Sequence, residues 1–455
     1  MNEFRKNKPT AIGEIDFSLP NVRYITLDNG INLIFIRKDN LPVVQMELLL
    51  NAGSCYEPAD KEGLAFLTAM LLDEGAAEYN ALELNNEIEK IGSSLTISSD
   101  KDYIYISMLS LSEYIERSIE LFSKIVVEPN LSVQDFGREK NKLLTRIIQT
   151  KDNPAALASN IFDTIIYKNS PYSSPVSGSE KSVSGLEVGD VKDFYFSHSS
   201  NSSLTLVVVG SEPEEKIISL LQKHLVLSRK GDLMKNIIIN PNTDDKKRVY
   251  LIDSEDAGQS EIRIGHIGGK RNSPDYFAKH IMNSILGGQF TSRINLNLRE
   301  DKGYTYGAGS YFDYNKFAGS FVVTTSVQTE VTSNAIKEIL KELAGIQSGV
   351  SSDELQFAKA YIIKKFPSLF ETYSQISNNI VMSVLHNLEK NYFDTYLDNV
   401  RKVSIENVNN AALKYIHPEN SVILVHGNKN LIEPQLKKLF NSDIIEIDKD
   451  GLVVG

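Results

Sequence analysis

The chain has 455 residues, more than one ordinary core accommodates and enough for two or three domains. Apolar residues make up 41% and charged residues 24%, with 14 prolines, which excludes a disordered chain, and no run of about 18 apolar residues offers a membrane span. Asp and Glu outnumber Lys and Arg by 59 to 48, a net charge of -11 that disfavours nucleic acid and anionic membrane surfaces.

The opening MNEFRKNKPTAIGEIDF is charged and lacks the apolar centre of an export signal, so a cytoplasmic location is the expectation. Next come two alternating runs, RYITL and INLIFI, split by Asp28-Asn29-Gly30, a strong hairpin signal. PVVQMELLL continues as a buried strand, and EGLAFLTAMLLDEG then switches to helical spacing. Cys55, the only cysteine, lies between them and reads as a packed thiol, since no disulfide can form within the chain. DYIYISMLSL is another strand, EYIERSIELFSKIVVEP an amphipathic helix, and VQDFGREKNKLLTRIIQTKDNP a further helix ended by Pro154. Strands followed by helices in this order argue for α+β rather than a doubly wound nucleotide fold.

The order recurs. The strand GSFVVTTSV and the helices NAIKEILKELAGI and SDELQFAKAYIIKKF repeat the block from Asp102 to Ile148. VGDVKDFYFSHSSNSSLTLVVVG likewise pairs with SIENVNNAALKYIHPENSVILVHG, setting His198, Asn201 and Gly210 against His417, Asn420 and Gly427. Matching repeat positions make structure the expected duty of both histidines. Seven histidines occur, none with a second His, Cys or Glu at metal-motif spacing. The polar stretch before residue 248 reads as a linker, giving halves of 1–230 and 248–455 joined by 231–247.

Residues 51–76, NAGSCYEPADKEGLAFLTAMLLDEGA, resemble the segment that carries the inverted zinc motif H-x-x-E-H in insulinase/pitrilysin peptidases. In a catalytic member two histidines four residues apart bind zinc, and the Glu between them activates water. In register, those slots hold Phe66, Ala69 and Met70, and the third-ligand position, counted from Met70, falls on Arg146. Phe and Ala offer no ligand atom and a Met thioether is a poor one for zinc. The resemblance therefore implies a degenerate site, with no cofactor in this chain; the plainer reading, a core helix with one apolar face, agrees with it.

Farther along, LGGQFTSRINLNLREDKGYTYGAGSYF resembles the family's C-terminal signature. Arg299 and Tyr306 match the Arg and Tyr that such proteins direct at bound peptide, and Gly287-Gly288 would let backbone or peptide pass closely. Arg can present a fork of donors to peptide carbonyls, and a Tyr hydroxyl can stabilise an oxyanion. A surface ion pair for Arg299 and a half-buried strand aromatic for Tyr306 are the ordinary alternatives.

The resemblance implies an α+β fold of two homologous halves, each an antiparallel sheet flanked by helices. It also implies a heterodimer in which an H-x-x-E-H partner brings zinc and this chain, inactive alone, completes the site for short or unfolded peptides bound at a sheet edge. A structural or peptide-binding protein of the same fold, comparable to the core proteins of respiratory complexes, and a homodimeric peptide binder are the competing expectations.

Overall fold

The computed structural model describes residues 17–200, 204–227, 248–441 and 443–454. The expected hairpin joins β1 (Val22–Thr26) to β2 (Asn32–Arg37). Gly30 turns the chain at φ +89° and its N–H donates to Leu27 O at 2.8 Å. With β3 (Val43–Leu50), β4 (Ser94–Ser99), β5 (Ile104–Leu111) and β6 (Leu204–Gly210), these strands form a six-stranded sheet in the order β1-β2-β6-β3-β5-β4. The second half repeats it with β7 (Arg248–Asp253), β8 (Gln259–Ile267), β9 (Ala308–Tyr314), β10 (Gly319–Gln328), β11 (Val422–Gly427) and β12 (Ile445–Ile447), in the order β12-β7-β11-β8-β10-β9.

The sheets are mixed rather than purely antiparallel. β2 runs parallel to β6, and β11 runs parallel to β7. Each half reaches its last central strand by way of helices, and a crossover of that kind permits parallel pairing where a tight turn would not. The outermost strands differ: β1 is antiparallel to β2, whereas β12 is parallel to β7.

Helices α1 (Leu64–Leu71), α2 (Ile115–Val127), α3 (Val133–Lys151), α4 (Pro154–Ile166), α5 (Val188–His198) and α6 (Glu214–His224) follow in the first half. The second half contributes α7 (Tyr276–Leu286), α8 (Thr332–Gln347), α9 (Ser352–Lys365), α10 (Tyr373–Leu385), α11 (Ile405–Tyr415) and α12 (Lys429–Phe440). Pro154 does not merely follow α3. It is the first residue of α4, whose start is capped by Asn153 accepting from the Ala156 N–H.

The central strands are buried on both faces, which is why their sequences are continuous apolar runs rather than alternating ones. In β6, Leu206 and Val208 face a core shared with α1, α2 and α3, while Val207 and Val209 face a second core. A helix from the opposite half fills that second face. Ile376 and Ile380 of α10 join Ile34, Ile36, Val207 and Val209, and Leu157, Ile161 and Phe162 of α4 join Tyr250, Ile252, Val322 and Leu424 of the second sheet. Polar anchors accompany the exchange. Ser374 and Ser377 of α10 donate to Gln45 (3.0 Å) and Glu47 (3.0 Å) of β3, and Arg263 of β8 donates to Ala155 O at 3.1 Å on α4.

A second lock lies at the turn between β9 and β10. Buried Asp102 accepts from the Tyr172 hydroxyl at 2.5 Å and from the Lys316 N–H at 2.8 Å, and the Phe317 N–H donates to Tyr172 Oη at 3.2 Å. Cys55 is packed against the same carboxylate, with Sγ 3.7 Å from Oδ1, and burial pushes its thiol up, away from thiolate character. The expected linker at 231–247 lies outside the described residues, as does Asn201.

Candidate functional site

The helix that carries the zinc-motif positions is held at its N-terminus by a carboxylate. Glu57 accepts from the Gly63 N–H (3.1 Å) and the Ala65 N–H (2.7 Å), while burial pushes its carboxyl up to about 8. Gly63 sits at φ +90°, and a side chain there would also meet Ser177 O at 2.6 Å. Along α1 the residues Leu64, Ala65, Leu67, Thr68, Ala69 and Leu71 are buried, leaving Phe66 and Met70, four apart on one face, half-buried.

The helix α3 brings Arg146 onto that face. Its guanidinium carbon lies 4.9 Å from the centroid of the Phe66 ring. Of the positions identified by a short motif and by a long count, Phe66 and Arg146 meet in space. The four positions hold a benzyl ring, a methyl group, a thioether and a cation, and this set does not fit zinc. Among the described residues, no group of three or more His, Cys, Asp or Glu is arranged to hold a metal.

The junction of α1 and α3 has a charge set of its own, which sequence spacing did not single out. Buried Glu139 takes Lys142 at 2.6 Å and Arg138 at 3.1 Å. Burial, then the Glu139 carboxylate, pushes Glu74 up to about 7.

The second set of expected residues lies on the excursion between α7 and β9. Gly287 closes α7, and the chain that passes over it is the protein's own strand. The Ser310 N–H donates to Gly287 O at 3.0 Å, and a side chain on Gly287 would meet Ser310 Oγ at 2.4 Å. A side chain on Gly288 would approach Asn283 Nδ2 to 2.9 Å. Arg293 grips Glu354 with two bonds, 2.6 and 2.9 Å, and Asn295 ties Phe290 O (2.6 Å) to the Ala308 N–H (3.1 Å).

This frame supports a wide helical turn, Leu296–Asp301, that carries Arg299. Its guanidinium lies over the Phe290 ring at 4.6 Å, with Nε 3.4 Å from the exposed Glu300 carboxylate. Gly303 then reverses the chain at φ +65°. Tyr306 follows with 93% of its surface exposed, outside any strand and so not the half-buried strand aromatic of the ordinary alternative. Two residues later begins β9, an edge strand of its sheet; β4, an edge strand of the other, packs beside α1. Among the described residues, no hydrogen bond, ion pair or ring contact links Arg299 or Tyr306 to Phe66, Ala69, Met70 or Arg146.

The repeat histidines do structural work. The His417 N–H donates to His266 Nε2 at 3.0 Å, and His198 packs on Phe194 with ring centroids 4.4 Å apart. No helix among the described residues is long and apolar enough to cross a membrane.

A family model described as Insulinase (Peptidase family M16) matches residues 33–180, and one described as Peptidase M16 inactive domain matches residues 185–362. A Helicobacter pylori protein named non-peptidase homolog YmxG is 22% identical over 401 residues, 87% of this chain and 92% of its own. An uncharacterized zinc protease YmxG from Bacillus subtilis is 20% identical over 414 residues, 90% of this chain and 99% of its own. A crystal structure of a peptidase M16 inactive domain from Pseudomonas fluorescens superposes with a TM-score of 0.84 at 24% identity, covering 90% of this chain and 98% of that one.

Proposed function

This chain belongs to the insulinase family, peptidase family M16, as a non-catalytic M16-like protein, and from that premise we propose that it is the substrate-side subunit of a two-chain peptidase. A partner of the same family with an intact H-x-x-E-H motif brings the metal, whose chemistry is to activate water and polarise a carbonyl. This chain brings Arg299 and Tyr306. Arg299 holds peptide carbonyls with its fork of donors, and the Tyr306 hydroxyl donates to the oxygen on which charge develops. Short or unfolded peptides are held through their main chain at a sheet edge, with little regard to sequence.

One observation carries this reading. Tyr306 is almost wholly exposed on a segment braced by Arg293 and Asn295, in a chain whose zinc-motif positions hold no ligand. A large aromatic projected into solvent from a rigid support is poorly explained by its own fold and well explained by a surface it completes.

The test is peptide hydrolysis with zinc by this chain, by an H-x-x-E-H homologue from the same organism, and by their mixture. Activity in the mixture alone, lost with Arg299→Ala and Tyr306→Phe, supports the proposal. Partner activity unchanged by this chain overturns it and favours a structural or peptide-binding protein of the same fold.

A further inference from the structure

A cavity of about 260 Å³ opens in the helical layer of the second half. One stripe of α7 makes a wall of it: Tyr276, His280, Asn283 and Ser284, spaced so that all face one way. Lys365, at the end of α9, and Arg271 also line it, and Phe366, Tyr392 and Tyr396 supply aromatic walls.

Arg271 is set in place rather than left to wander. Its guanidinium carbon lies 3.2 Å from the centroid of the Tyr276 ring, and Nη2 donates to Tyr392 Oη at 2.5 Å. Its Nη1 is buried and has no hydrogen-bond partner among the described residues, and the same is true of Ser284 Oγ. A buried donor of a charged group left without an acceptor is costly, so Arg271, which lines the cavity, keeps an unmet hydrogen-bonding demand. The His280 ring lies parallel to Tyr276, with centroids 5.6 Å apart. Burial, then the charges of Arg271 and Lys365, hold it down to about 4, so it is neutral at pH 7.

The lining contains no Asp or Glu, in a chain whose acidic residues exceed its basic ones by 59 to 48. Arg271, Lys365 and several amide- and hydroxyl-bearing residues line the cavity with no carboxylate among the lining residues. We propose that this cavity binds a small organic anion, its single carboxylate on Arg271 and Lys365 and its aromatic or branched apolar body against Phe366, Tyr392 and Tyr396. A planar carboxylate matches the planar guanidinium better than a bare spherical ion, and the aromatic walls favour an apolar body that inorganic phosphate lacks. The assignment does not depend on a role in proteolysis.

Isothermal titration calorimetry of the full chain at pH 7 tests it, with N-acetyl-phenylalanine, its neutral amide N-acetyl-phenylalaninamide, inorganic phosphate, and a hexapeptide ending in phenylalanine as probes. The acid binds, and the amide binds at least about tenfold more weakly, because only the acid supplies a charged acceptor. Binding of the hexapeptide alongside the acid identifies a chain terminus as the source of the carboxylate; binding of the acid alone identifies a free acid, and both support the site. Lys365 is exposed, so Lys365→Met keeps the fold and weakens the acid several-fold, whereas Arg271→Met abolishes binding. The His280 ring, followed by NMR, titrates at higher pH when the acid is bound, which distinguishes this cavity from binding elsewhere. Equal affinity for acid and amide, phosphate binding as tightly as the acid, an unmoved His280 signal, or no heat with any probe overturns the proposal.

Discussion

Arg146 holds its guanidinium 4.9 Å over the ring of Phe66, across the interface between α3 and α1. The positions that a metal would require on two helices are thus joined by a cation–π contact, which at an exposed site contributes about 0.5–1 kcal/mol. It ties the helices together with a cation in the place where a metal site needs an anion.

Restoring ligands therefore requires the distant position as well as the motif. The variant Phe66→His, Ala69→Glu, Met70→His, Arg146→Glu should bind zinc at one per chain, measured against a chromophoric chelator. The same variant with Arg146 retained should bind about 100-fold more weakly or worse, since a cation then faces the metal in place of a carboxylate.

Removing the proposed substrate residues should leave the fold untouched. Tyr306 is exposed and Arg299 is half-buried with only the Phe290 ring and the Glu300 carboxylate against it, so Tyr306→Phe should shift stability by less than about 0.5 kcal/mol and Arg299→Ala by less than about 1 kcal/mol in urea denaturation. A larger loss would mean that these residues hold the structure together rather than await a partner.

The turn that locks the two halves should be expensive to disturb. Asp102→Ala leaves the Tyr172 hydroxyl and the Lys316 N–H without their buried acceptor and should cost about 3 kcal/mol, with Tyr172→Phe costing about 1–2 kcal/mol. Urea midpoints of the two variants check both values.

Acid should destabilise the protein through its buried histidines. His266 Nε2 accepts the His417 N–H and Nδ1 sits 3.0 Å from Ile267 O, so the neutral ring satisfies both bonds and protonation breaks one. Burial holds His266 down to about 4, below the ordinary value of about 6.5 that the unfolded chain keeps. Between those values the unfolded chain binds the extra proton, so stability falls as pH drops from about 6.5 to about 4, by roughly 1.4 kcal/mol per pH unit per histidine. His386 is likewise held to about 4 by burial and then by Arg271. Urea midpoints at pH 7, 5.5 and 4.5 should trace this slope, and His266→Gln should flatten it.

Much of this was legible in the residues. The Asn-Gly turn, the strand before the motif helix and the repeated strand-helix-helix block all lie where their periods place them, because each is a local pattern with a local cause. Arg146 is legible as a position by counting from Met70, but its contact with Phe66 is not. The exchange of α4 and α10 was not readable, since an amphipathic helix announces an apolar face but not whose sheet it covers. Nor was the Arg271 cavity, whose walls come from segments scattered between residues 271 and 396 and share no spacing. The polar edge strand β4, SLTISS, lacked the apolar run that marked its neighbours.

The exchanged helices make the chain a natural candidate for splitting. Cut between Leu227 and Arg248, it yields two pieces, each of which carries the helix that the other's sheet needs and lacks the one that would cover its own. Neither piece should fold to a stable monomer, because a six-stranded sheet with one bare apolar face is an aggregation surface. Mixed during refolding, the two should recover one another with the selectivity of a lock that is half key on either side, turning a duplicated single chain into an obligate pair.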